Sequence, residues 1–150
     1  MNKKFLMSIF ICLLLGFMCA FIVYKSYNKD KTVAVNSDSE VLYFIQVGVF
    51  KSYDNVNNMT KTLKNYLVIE ENNLFFVYVG ITKNKKNLLK LEEFFKRKGN
   101  NIYIKHKKIN NKNFINKINK YDALLSETND YDTIEIINKE VLSLYKKEVK

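Results

Sequence analysis

Side chains able to do acid–base, nucleophilic or metal chemistry are sparse in this 150-residue chain. The single histidine, His106, stands in the lysine-rich run Ile104-Lys105-His106-Lys107-Lys108 and reads as a solvated strand-end residue. Two carboxylate pairs occur, Glu70-Glu71 and Glu92-Glu93. Adjacent helical residues do not share a face, so the second pair cannot converge, and the first falls in turn-like sequence. Both cysteines, Cys12 and Cys19, lie in an apolar run and leave the rest of the chain without a thiol. The residues therefore predict no catalytic group, no metal ligand set and no cofactor. What the chain repeats instead is an aromatic strand phrase: YFIQVGVF at 43–50 returns as FFVYVGIT at 75–82.

The elements that would position these phrases follow from periodicity. Val41–Gly48 is β-branched and aromatic, and Ser52–Tyr66 carries Val56, Met59, Leu63 and Tyr66 at helical spacing. Leu67–Glu70 reads as a short strand joined through Glu71-Asn72-Asn73 to a strand over Leu74–Gly80. A second helix over Lys85–Lys98 ends at Gly99, and Asn101–Lys107 is the last strand. The order β-α-β-β-α-β predicts an α+β, ferredoxin-like domain over residues 41–109: a four-stranded antiparallel sheet with two helices on one face. Residues 110–150 carry two apolar stripes, Phe114, Ile115, Ile118, Tyr121, Leu124, Leu125 and then Tyr131, Ile134, Ile137, Val141, Leu142, Tyr145. They predict a helical hairpin turning at Asn129-Asp130, packed on its own partner helix and the preceding domain, or offered to another protein.

Ahead of this, residues 5–24 (FLMSIFICLLLGFMCAFIVY) hold no charge and match the length of a membrane span. The poor cleavage site at Met18-Cys19-Ala20 favours an uncleaved signal anchor over a signal peptide. Residues 1–4 form a short flank, and 25–40 a polar tether with a span on the order of 20 Å if flexible. Lysines flank the run on both sides, so charge alone does not orient it.

The formal net charge is +10, and all basic residues but Arg97 are lysine. The excess sits between Val41 and Ile109, whereas the hairpin is neutral. A basic surface suits an anionic partner such as nucleic acid, lipid headgroups or a wall polymer, although the lysine and asparagine bias weakens that inference.

Tyr43, Gln46, Gly48 and Phe50, followed by Val77, Val79 and Gly80, make the segment 42–109 resemble the SPOR (sporulation-related repeat) domain. The resemblance implies a single-pass membrane protein of the bacterial cell wall, with a cytoplasmic amino terminus and an extracytoplasmic domain. It also implies that the domain binds peptidoglycan, in particular glycan strands stripped of stem peptides, at septa in cell division or in sporulation. The chain departs from the family where serine often follows the first motif glycine (here Val49), and at the start of the third strand (Leu74, Phe76).

Strand alternation places Phe44, Gln46, Phe76, Tyr78, Tyr103 and Lys105 on the sheet face opposite the two helices, beside Leu42, Gly48, Leu74 and Gly80. If open, that face suits a sugar chain. Aromatic rings offer platforms to C–H faces, the Gln46 amide both donates and accepts, and lysines can meet carboxylates. The expected partners are peptidoglycan glycan strands and the membrane through residues 5–24, with a protein at the C-terminal helices as a further candidate. The main alternative is a scaffold with a degenerate SPOR fold, whose C-terminal helices bind a divisome or sporulation partner. A nucleic-acid partner is not expected, since LFFVYVG lacks the basic-Gly-aromatic pattern of RNA-recognition strands.

Overall fold

A computed structural model describes residues 39–149; the expected span 5–24, its flank and the tether up to residue 38 lie outside the described residues. Among the described residues no helix is long and apolar enough to cross a membrane. The chain runs β1 (Glu40–Phe50), α1 (Tyr53–Thr60), β2 (Leu67–Glu71), β3 (Leu74–Thr82), α2 (Lys85–Arg97), β4 (Tyr103–Ile109), α3 (Lys112–Glu127) and α4 (Tyr131–Glu148). The four strands form one antiparallel sheet in the order β2-β3-β1-β4, so the expected α+β class is found.

Each boundary has a local cause. Asn72 and Asn73 take positive φ (53° and 61°), as a two-residue hairpin turn between β2 and β3 requires. Ser52, Asn84, Asn111 and Asp130 cap α1 to α4, their side-chain oxygens accepting from backbone N–H groups. Gly99 (φ +80°) follows α2 as expected. The first helix is shorter than its apolar spacing predicts, ending at Thr60 rather than near Tyr66. There the Thr60 and Thr62 hydroxyls donate to the carbonyls of Asn57 and Met59, drawing acceptors away from a continuing helix. The last strand is shifted toward the C-terminus because it pairs with all of the first half of β1, from Glu40–Ile109 to Gln46–Tyr103.

The sheet is covered on both faces. On one, Ile45, Val47, Val77 and Val79 pack against Val56 of α1 and Leu88, Leu91, Phe94 and Phe95 of α2. On the other, Leu42, Phe44, Tyr78 and Ile81 pack against Phe114 and Ile118 of α3 and Val141, Leu142 and Tyr145 of α4. Two register shifts interrupt the β1–β3 ladder: Ile45 faces Gly80 while Gln46 faces Tyr78, and Gly48 faces Val77. The extra residue at Val79-Gly80 reverses the alternation, so Ile81, not the expected Gly80, shares a face with Phe44 and Tyr78.

The same bulge anchors the hairpin. The β2 ladder stops at Leu67–Tyr78, and beyond it the Val79 carbonyl accepts a hydrogen bond from Asn138 Nδ2 on α4. The loop end of the hairpin thereby reaches around β3, placing Leu125, Ile134 and Ile137 against the α1–α2 side of the core.

Candidate functional site

Register brings the expected glycan-binding residues together but does not leave them open. Gln46 lies between Tyr78 and Tyr103, and Phe44 between Ile81 and Lys105, so the six residues do share one face. However, Phe44 and Tyr78 are 0% and 1% exposed and Gln46 is 5% exposed. The Phe44 ring meets Tyr78 and Tyr145 edge-on, at centroid distances of 5.3 Å each, and Tyr145 in turn meets Phe114 at 5.4 Å. The expectation of an open aromatic platform is thus corrected. Two amphipathic helices must bury their stripes, and the aromatic sheet face is the apolar surface that accepts them. Of the six, Tyr103 (61% exposed) and Lys105 are exposed and Phe76 is half-buried. His106 is exposed, with its ring edge-on to Tyr43 at 5.1 Å.

Along the margin of this face, Lys107 lies 5.1 Å from the Tyr78 ring centroid, 5.6 Å from Phe44 and 6.0 Å from Phe76, and pairs with Glu71. Burial, with Glu71 adding to it, pushes the Tyr78 hydroxyl up to about 12, so it stays a neutral phenol at physiological pH. Gln46 Oε1 is buried without a hydrogen-bond partner among the described residues.

The motif spacing around Gln46 has a packing meaning. A Cβ on Gly48 would lie 2.6 Å from the Phe50 ring, so glycine at 48 lets the phenylalanine two residues on fold back over the backbone. The Gln-x-Gly-x-Phe phrase is therefore partly a structural unit of the β1 bulge.

Polar latches hold the hairpin down. The buried Asp122 carboxylate of α3 accepts from the Thr82 hydroxyl, the Lys83 N–H (2.8 Å) and Asn87 Nδ2 (3.0 Å). Lys90 of α2 donates to the carbonyls of Leu125 and Thr128 (both 2.7 Å), satisfying the C-terminal end of α3.

A separate concavity, a groove of about 620 Å³, lies between the β2 edge and α4. Tyr53, Tyr66 and Phe75 line it together with Lys64, Lys139 and Lys146. Tyr53 stands edge-on to Phe75 at 5.6 Å, and Lys146 Nζ lies 6.0 Å from the Tyr66 centroid. These residues carry little signal in the sequence, because Tyr66 and Phe75 fall on elements whose spacing reads as core, and Lys139 and Lys146 on a hairpin whose charge is neutral. The available signal was the pair Lys139 and Lys146, seven residues apart and thus near one helical face.

No family model, no curated protein and no solved structure matches this chain.

Proposed function

We propose that this chain is a membrane-anchored, non-catalytic module that binds peptidoglycan glycan strands and so marks septal or remodelling wall, in division or sporulation. In this reading residues 5–24 anchor the chain, the domain lies outside the cytoplasm, and residues 41–109 form a SPOR-like, ferredoxin-like unit. One observation carries it: the halves β1-α1-β2 and β3-α2-β4 are interleaved in the sheet, with the two repeated strand phrases as central neighbours. The hairpin has taken the middle of the face that the resemblance would assign to glycan, leaving Tyr103, Lys105 and the flank of Phe76 as its open margin. Sedimentation of the full chain with purified sacculi, before and after amidase treatment, tests the reading. Co-sedimentation that strengthens after amidase treatment is the expected result, and none with either preparation overturns it.

A second reading, the scaffold, draws on Leu124, Tyr131 and Ile136, which the hairpin exposes on its outer side. Localisation that is lost in a Leu124→Ser/Tyr131→Ser variant but kept in Tyr103→Ala favours the scaffold.

A further inference from the structure

The groove between the β2 edge and α4 has the ingredients of a polymer site. Its three aromatic rings sit beside three lysines, with Glu70 as the opposing carboxylate. Lys64 already shares Glu135 with Lys98. Lys139 and Lys146 pair with no carboxylate among the described residues, and both are exposed on α4. The groove therefore carries a positive excess, Lys139 and Lys146 against the single carboxylate of Glu70. Tyr53 is 54% exposed, so a ring is also presented rather than packed away.

The groove does not stop at Lys64. Lys64 and Asn65 also line a hollow of about 310 Å³ that runs to Phe94, Phe95 and Asn138. A third hollow joins them along Asp132, Glu135, Ile136 and Lys139, where Glu135 is already paired with Lys64 and Lys98. Between Asp132 and Lys146 the helix rises roughly 21 Å, enough for several linked rings. In the second hollow Asn138, 4% exposed, keeps its Oδ1 without a partner among the described residues while its Nδ2 holds Val79.

We propose that this channel binds a linear anionic polysaccharide. Tyr53, Tyr66 and Phe75 serve as platforms for sugar C–H faces, while Lys139 and Lys146 meet the anionic groups. Asn65 and Ser143 supply neutral donors and acceptors for hydroxyls. An extended acidic peptide fits less well, because Glu70 lies at the strand edge it would have to follow. The proposal rests on the glycan-binding reading for its ligand class but not for its surface.

The test titrates the full-length chain in detergent micelles with a short hyaluronan oligosaccharide, an alternating N-acetylglucosamine and glucuronate chain. Chitin oligosaccharide of the same length, polyglutamate and oligothymidylate serve as comparison ligands. Hyaluronan should bind about tenfold or more tightly than neutral chitin, with the difference shrinking as salt rises. Lys139→Glu/Lys146→Glu should abolish that preference, and Tyr53→Ala should weaken both sugars, without changing the thermal midpoint. Equal binding of chitin, insensitivity to the lysine reversal, or tighter binding of polyglutamate or oligothymidylate each overturns the proposal, as does no binding of hyaluronan. Sacculus sedimentation separates the two readings: if the lysine-reversed variant still pellets with sacculi, the groove fails while the wall-binding reading stands.

Discussion

Phe44→Ala asks whether the aromatic sheet face is a ligand platform or core. The ring is fully buried between Tyr78 of β3 and Tyr145 of α4, with Leu42, Ile81, Phe114 and Ile118 in the same cluster. Truncating such a phenylalanine removes its transfer free energy and leaves a cavity bounded by two helices and the sheet, a loss of about 3–5 kcal/mol. Against a total stability of about 5–15 kcal/mol for a domain, that is a large fraction. With a urea slope of about 2 kcal/mol/M, the unfolding midpoint falls by about 1.5–2.5 M. The chain contains no tryptophan, so tyrosine emission can follow the transition. Tyr103→Ala, on the same face but exposed, is the internal control and should shift stability by no more than about 0.5 kcal/mol. A Phe44→Ala loss below about 1 kcal/mol, matching Tyr103→Ala, would show that the hairpin does not lie on this face and refute the packing argument.

Alkaline pH probes the same interface, since burial raises both Tyr78, to about 12, and Tyr145. A phenol whose pKa is raised by folding contributes fully below its unfolded value near 10 and loses that contribution as pH climbs through the folded value. Urea midpoints should hold up to about pH 10 and then fall toward pH 12, with Tyr78 accounting for on the order of 2–3 kcal/mol; Tyr78→Phe should flatten the fall. Asp122→Ala leaves the buried Thr82 and Asn87 without their shared acceptor and should lower stability by about 2–4 kcal/mol by thermal denaturation, whereas an exposed change such as Asp132→Ala should not. In Gly80→Ala the new methyl would sit 3.1 Å from Ile45 Cδ1 and 3.2 Å from Asn138 Oδ1, so the bulge or the hairpin must shift, at a cost of about 1–3 kcal/mol seen in the urea midpoint.

Strand and helix identities were legible because alternation and helical spacing are local properties of the chain, and they assigned Tyr43, Ile45, Val47, Phe75, Val77 and Val79 to the α1–α2 side. The bulge at Val79-Gly80 was not legible. An inserted residue leaves no compositional trace when both neighbours are apolar or small, yet it exchanges Gly80 for Ile81 on the hairpin face. Nor does an amphipathic stripe name its partner: Phe114 and Tyr145 announce a buried face, and only the three-dimensional packing assigns that face to Phe44 and Tyr78. The groove was harder still, as Tyr53 and the distant Lys139 and Lys146 come from opposite ends of the domain, and exposed lysines read one at a time look like solvated charge.

The position of α4 also bears on how the protein is made. Tyr145 and Leu142 close a face whose other members, Leu42 and Phe44, are synthesised a hundred residues earlier. Until those turns of α4 emerge, the nascent sheet carries an uncovered aromatic surface, the kind of transient apolar patch that invites chaperones, proteases or self-association. A chain interrupted anywhere before Tyr145 keeps that patch permanently. Clearance by quality-control machinery should therefore depend on the arrival of α4, and nonsense or frameshift products that lack it should be cleared rather than accumulate as half-working modules.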